Sequence, residues 1–454
     1  MTDYINRHSK HASLAAVGMQ MQRWRIWETV QKHVHIKQKV IRHTPMDKLL
    51  DAFINILAGG RGLVEVNKKV RADPGLQRAF GRDSCAEQST ISETVNRSTA
   101  ENVQEMRQAV NEVFRTYGQG YQHLYHESLQ LLDVDMSGMP AGRQGEGVEK
   151  GYFSGKKNRR GRQLGRVVAT RYHEVVVDHL YPGKRQMERS LQELVTTAEE
   201  VLDLDEDQRK RTIIRVDGGG GRDADVNWLL GRGYHLLVKV KNWKRANKLA
   251  RSVTTWYLDP KTGDREVGWV EKPHPYELPT RQLAIRTPKK NGSWLHWVLL
   301  TTLPDQEILS LARQPARKEP TSKQILLAML YAYDLRSGGV ETSIKGSKQG
   351  LGLTKRNKKL LAAQEMLVLL AQLAYNLTTW TRNLLAQHSP KFKGYGLLRM
   401  VRDVFQIDGC VCWDAHGRIL AIRLNRYDPL TTDFIRGLRY SWAQDETCLI
   451  LGQI

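Results

Sequence analysis

The sequence predicts an α/β protein: a mixed sheet flanked by helices, with an inserted β subdomain and a helical region ahead of the sheet. Three observations predict it. Between residues 129 and 242, short apolar runs of the kind found in buried strands are interleaved with amphipathic helical stretches. Between 243 and 302 the texture turns to alternating, tryptophan-rich stretches with turn signals. Before residue 129, apolar residues recur at helical spacing.

The elements follow in order. Residues 1–45 read as helical, basic and rich in histidine, with Trp24, Ile26 and Trp27 among Arg23, Arg25 and Lys32. Such a stretch serves either as an arm on a polyanion or as a helix packed on its neighbours. Leu49, Leu50, Phe53, Ile54 and Leu57 mark a helix closed by Gly59-Gly60. Two short helices around a turn are expected at 75–98, the second capped by Ser89 and Thr90. This fits a helix-turn-helix reader or any small helical bundle.

From Leu129 to Met136 the chain reads as a buried strand carrying Asp133 and Asp135, followed by a Gly- and Arg-rich loop from Gly138 to Arg162. Arg166–Ala169 and Glu174–Leu180 read as two further strands. Residues 186–204 form an amphipathic helix with Leu191, Leu194, Val195, Ala198 and Leu202 on one face. A short apolar strand, Thr212–Asp217, runs into four glycines, Gly218 to Gly221; a helix at 223–232 and a strand at Tyr234–Val240 follow. Strand, strand, strand, helix, strand, helix, strand is the order of a ribonuclease H-like core. Residues 243–302, with Trp243, Trp256, Trp269, Trp294 and Trp297, read as the inserted β subdomain, and helices follow at 321–333 and 355–385. The end mixes a strand pair at 409–424 with a basic helix near Arg436. The expected division is therefore 1–128, an N-terminal helical region; 129–242, the first part of the core; 243–302, the insertion; 303–390, the second part of the core; and 391–454, a C-terminal region.

Bulk composition narrows the function. The 454 residues are 40% hydrophobic and 26% charged, an ordinary globular balance. Seventy Lys and Arg against 48 Asp and Glu leave a net charge of +22. That excess favours a polyanion, because each phosphate contact releases a condensed counterion; with the basic stretch at 1–45 and the paired helices at 75–98, residues 1–128 are an expected DNA-binding region. Cys85, Cys410, Cys412 and Cys448 form no C-x-x-C pair and have no histidines at zinc spacing, so reduced structural thiols are expected. The start of the chain lacks the charged and apolar regions of a signal peptide. No apolar stretch approaches the ~18 residues of a membrane span. The expected location is the cytoplasm, on the bacterial nucleoid when bound to DNA, with no membrane partner.

Two carboxylates at neighbouring strand ends and a third from a helix can hold two divalent ions, because hard Mg²⁺ prefers oxygen ligands. Two such ions about 4 Å apart serve in-line phosphoryl transfer. Asp217 ends an apolar strand, and the glycines after it let a phosphate backbone approach; its alternative role is to shape the turn. Asp133 and Asp135 share parity and therefore a face. Asp135, nearer the strand end, is the preferred ligand, and Asp133 a supporting or alternative one.

The third acid lies in Tyr333-Asp-Leu-Arg336-Ser-Gly-Gly-Val-Glu341-Thr-Ser-Ile-Lys345-Gly-Ser-Lys348. This segment resembles the Tyr-Arg-Glu-Lys signature of bacterial insertion-sequence transposases with a DDE triad. The family leaves two, three and six residues between these positions; here there are two, four and six, the extra one falling at Gly338-Gly339. Residues 46–90, Leu131–Ser137, Ile213–Gly218 and Ile407–Gly409 resemble that family in order and spacing too, so the resemblance covers most of the chain. It implies a transposase whose Asp135, Asp217 and Glu341 bind two Mg²⁺ ions, with Mn²⁺ able to substitute. It implies that Tyr333, Arg336 and Lys348 contact phosphates near the cut; Lys345, four residues after Glu341, shares a helical face with Lys348 and is a DNA-binding candidate with it, or part of a solvated face. The expected partners are double-stranded DNA, as element terminal inverted repeats and target, and a second copy of the chain in a dimer on two DNA ends.

Lys156, Lys157, Arg159 and Arg160 form a dense basic stretch suited to the DNA backbone or to plain solvation. The basic run Lys239, Lys241, Lys244 and Arg245 leads toward the insertion, whose tryptophans either build its core or stack on an unpaired base. Three other readings compete: a metal-dependent nuclease of the same fold, a non-catalytic DNA-binding descendant of a transposase, and an RNA-binding or ribosomal factor. If Glu341 pointed elsewhere, Glu319 or Glu365 would be the next acids to consider.

Overall fold

A computed structural model describes residues 4–442, apart from Ser154, and 450–454; the side chains of Tyr152, Lys156, Lys157 and Ser441 are outside the description, and so is all of Cys448. The chain divides into two compact units, each assembled from separate stretches: Met1–Gly118, Met139–Arg162 and Ser343–Ile454 in one, Gln119–Gly138 and Gln163–Thr342 in the other.

The second unit is built on a mixed sheet. Its centre is parallel: Gln130–Pro140 pairs with Thr212–Val216, which pairs with His235–Lys239. Where they pair, these runs are mostly apolar and buried, as a strand covered on both faces requires; Thr212–Val216 is buried throughout, and Gln130–Pro140 over its first five residues. Parallel neighbours need long crossovers, here supplied by the helices Leu191–Leu202 and Asp223–Gly231. On one side, Gln163–Ala169 pairs antiparallel with Glu174–Tyr181. On the other, Trp294–Thr301 pairs antiparallel with His235–Lys239, then with Arg281–Pro288, which carries Glu266–Trp269. In hydrogen bonding, the strands of the tryptophan-rich stretch extend the core sheet. They share its core as well: Val267, Leu283, Ile285 and Leu299 pack in one cluster with Leu131, Ile213, Leu237, Leu326 and Met329. Alternation in a sequence shows a half-buried strand and not the partner it pairs with.

The first unit is mainly helical. Pro45–Leu57 starts at a capping box between Thr44 and Asp47, with Pro45 in its first turn. Leu361–His388 runs 28 residues and is buried over most of its length, and Arg107 of the helix Ala100–Tyr117 pairs with its Glu365. A four-stranded sheet joins Tyr4–Ser9 to Gly409–Asp414, then Ile419–Leu424 and Ile450–Gln453.

Three local expectations need correction. Tyr4–Ser9 is a strand, not helix; its partner lies about 400 residues away, beyond any local periodicity. The stretch Gly138–Arg162 is not a loop throughout. Glu149–Phe153 and Lys156–Ala169 pair as a hairpin whose basic side chains hide the apolar alternation of a strand. The helix Gln88–Asn96 starts at Glu87 without a side-chain cap, and Thr90 instead donates its hydroxyl to the Glu87 carbonyl. Among the described residues no helix is long and apolar enough to cross a membrane, and Cys85, Cys410 and Cys412 are free thiols.

Candidate active site

Register brings the first two acids together. Val134 lies opposite Val216 in the last step of the parallel pair, so Asp135 and Asp217 are the next residues of adjacent strands. Asp217 follows its strand's carboxyl end, where open α/β sheets place their chemistry, whereas the strand of Asp135 runs on to Pro140 and does not end beside it as expected. One step earlier Asp133 faces Arg215. Their side chains form a fully buried two-pronged pair, Arg215 Nε to Asp133 Oδ1 at 2.6 Å and Nη2 to Oδ2 at 2.8 Å. Thr170 donates a third bond to Asp133 Oδ2 at 2.7 Å, and Arg215 also reaches the Ala332 carbonyl. Asp133 is thus held by structural partners, while Asp135 stands at the half-buried edge.

Asp217 accepts a bond from Gly219 N at 2.9 Å and so starts the tight turn Gly218–Gly220. Gly221 must lack a side chain, because an added Cβ would collide with the Lys239 carbonyl.

The third acid arrives from the helical layer. The helix Ser322–Asp334, opened by a capping box between Thr321 and Gln324, tightens into a 3-10 turn at Leu335–Gly338; Gly339 then turns the chain into the helix Val340–Gln349. A Cβ on Gly339 would strike the Asp133 carboxylate and lie 2.9 Å from Thr170 Cγ2. At Gly339 the backbone therefore presses on the buried Asp133. Gly338 has open space around it.

Arg336 gathers the acids. Its guanidinium, 5% exposed, meets Asp135 Oδ1 at 3.0 Å and Glu341 Oε1 at 2.8 Å. Its Nε is buried without a hydrogen-bond partner. Burial pushes the Asp135 carboxyl up to about 6; Arg336 opposes this, and Asp217 and Glu341 add to it. Burial likewise pushes the Tyr333 phenol well above its usual range, again with the three acids adding and Arg336 opposing. Both groups therefore feel Asp217, Glu341 and Arg336. Lys239 lies nearby: burial lowers its ammonium, Asp217 supports it, and it stands over the Trp297 ring at 4.9 Å.

Three carboxylates with hard oxygen donors suit a divalent cation such as Mg²⁺. Among the described residues no three acidic, His or Cys groups are drawn as tightly as a metal centre; the Arg336 guanidinium stands between Asp135 and Glu341.

A family model described as the transposase DDE domain matches residues 126–377, more than half of the chain. The chain belongs to the transposase DDE-domain family. It is a DNA transposase, and the matched stretch contains every acid described above. No curated protein matches it. Among solved structures, it is similar to the cryo-EM structure of a piggyBac transposase synaptic complex with hairpin DNA, at 11% identity, over 85% of this chain and 79% of that one, with a TM-score of 0.47.

The other sequence-derived residues of the transposase fall in different places. Lys345 is exposed and Lys348 half-buried, further along the helix that starts with Val340. Arg159 is exposed and Arg160 half-buried on the strand Lys156–Ala169, where the side chains of Lys156 and Lys157 lie outside the description. Glu319 is exposed ahead of Ser322, and Glu365 is paired with Arg107. Sequence reasoning missed Arg215, for which a charged residue inside the otherwise apolar Thr212–Val216 was the available signal; it singled out Gly338-Gly339 without telling the two glycines apart.

Proposed function

We propose that this transposase cuts and joins DNA strands at insertion-sequence ends, with Asp135, Asp217 and Glu341 holding two Mg²⁺ ions on a ribonuclease H-like core. The observation that carries the reading is the pairing of Asp135 and Glu341 on one buried guanidinium, with Asp217 next to Asp135 in register. When bound, the ions supply Lewis acidity to the attacking and leaving oxygens of an in-line displacement. Mn²⁺, which favours the same ligands, substitutes.

The protein's own residues do the rest. Tyr333, whose phenol keeps its proton, donates to a phosphate oxygen. Arg336 stays charged and can fork onto a phosphate, while Lys345 and Lys348 act as point charges along the helix of Glu341. Lys156, Lys157, Arg159 and Arg160 hold the backbone of the bound duplex. Water attacks the phosphorus at the element end and frees a 3′-hydroxyl; that hydroxyl attacks a phosphodiester of the target, joining one strand as another leaves. The division at 1–128, 129–242, 243–302, 303–390 and 391–454 belongs to this reading: DNA-binding region, first half of the core, insertion, second half with Glu341, and C-terminal region. So does a homodimer that grips two terminal inverted repeats, acting in a bacterial cytoplasm.

The test is cutting and joining of labelled end DNA, taken from the sequence flanking the gene, with Mg²⁺. Asp217→Asn and Glu341→Gln are expected to lower cutting at least about 100-fold, since even partners outside the ligand layer commonly cost 10–100-fold, while DNA binding persists. Cutting unaffected by either change would place the active site elsewhere. Metal-dependent cutting without joining would favour a nuclease.

A further inference from the structure

A second site lies within the unit that contains residues 139–162 and 343–454. There an open cavity of about 450 Å³ separates two turns and is lined by Gly142, Arg143, Gln144, Asn357, Lys358 and Lys359. Nothing in the chemistry of the acidic site uses it.

The two turns are tied to each other by hydrogen bonds. Arg162, 1% exposed, donates Nε to the Glu146 carbonyl at 2.7 Å, Nη1 to the Lys358 carbonyl at 3.0 Å and Nη2 to the Lys359 carbonyl at 2.8 Å. Glu146 N donates to the Lys359 carbonyl at 2.8 Å, and the Glu146 carboxylate accepts from Leu361 N at 2.7 Å. One buried guanidinium thus ties both turns together through backbone carbonyls. Arg356, next in sequence to Asn357 and also buried, donates to the carbonyls of Gly60 and Leu351. Neither arginine has a carboxylate at ion-pair distance among the described residues; Glu146 acts on Arg162, and Glu65 on Arg356, only from further off. Lys358 fixes the platform further by donating to Ser92 Oγ at 2.6 Å.

What the turns present outward is selective. Arg143, Gln144, Asn357 and Lys359 are all exposed, and no acid lines the cavity. An Arg fork matches the acceptor pair of guanine, and the amides of Gln and Asn match the donor–acceptor pair of adenine, whereas a Lys beside them suits a phosphate. Side chains that read bases discriminate well only when their support is preorganised, and the Arg162 clamp supplies that support.

We infer that this platform is a sequence-reading contact to DNA, with Arg143, Gln144 and Asn357 reading base edges and Lys359 holding the adjacent phosphate. It rests on the DNA-end reading given above. The test is selection of binding sites by the full-length protein from random-sequence duplexes. Arg143→Ala, Gln144→Ala and Asn357→Ala are each expected to lose roughly 10-fold base preference at one or two neighbouring positions of the recovered motif, with the remainder intact. Lys359→Ala is expected to weaken all sequences evenly and to lower the salt slope by about one.

An unchanged motif in the first three variants, or an even loss across all sequences, overturns the inference; if Mg²⁺-dependent cutting of end DNA persists, the reading it rests on survives. No motif from the wild type, together with no cutting, removes both.

Discussion

At the scale of single residues, the two acids of one strand have different work. Asp133 is locked to Arg215 and Thr170 in the interior, and Asp135 meets the Arg336 guanidinium. Asp133→Ala is expected to cost about 3–5 kcal/mol, because it strands the Arg215 charge in the core; the denaturant midpoint of unfolding reports it. Asp135→Asn keeps the side-chain shape and leaves Arg336 its bond to Glu341. Its unfolding midpoint is expected to stay near that of the wild type while cutting is lost. Equal destabilisation by the two changes would contradict the division of roles. From the sequence, shared parity put both acids on one face and left the ligand open. What separates them is the cross-strand partner Arg215, 82 residues away, which no local pattern pairs with Asp133.

At the scale of elements, the segment Leu335–Gly339 sets where Glu341 points. A Cβ on Gly339 would strike the buried Asp133 carboxylate and Thr170, whereas one on Gly338 would meet nothing within 4 Å. Gly339→Ala is expected to destabilise by about 1–3 kcal/mol, the range of overpacked interiors, and to depress cutting by displacing the start of the helix Val340–Gln349. Gly338→Ala is expected to leave both nearly unchanged, which makes it the control; similar effects from the two would sink the close-approach argument. The residues Tyr333, Arg336, Gly338, Gly339 and Glu341 were legible as one short segment. Its structural solution was not, since a close approach is a property of two distant segments. The hairpin at 149–169 was illegible for another reason: lysines and arginines on a strand look like solvated loop.

At the scale of the whole molecule, the strand and helix order from Thr212 to Lys239 could be read directly from buried apolar runs, which depend on local burial alone. The pairing of Trp294–Thr301 with His235–Lys239 could not. That pairing carries a consequence for the tryptophan-rich stretch. Its Val267, Leu283 and Leu299 share a core with Ile213 and Leu326, so replacing residues 253–302 by a short linker is expected to abolish cooperative thermal unfolding. A remainder that still melts cooperatively would show the stretch to be a separable module. The net charge of +22 belongs to this scale as well: affinity for any DNA is expected to fall steeply and linearly on a log–log plot against salt.

The most direct measurement is the number of Mn²⁺ ions bound per chain in the complex with end DNA, read by electron paramagnetic resonance for the wild type, Asp135→Asn, Asp217→Asn and Glu341→Gln. Two ions in the wild type and fewer in each variant are expected. The same count in all four proteins would contradict a metal centre built from these three carboxylates.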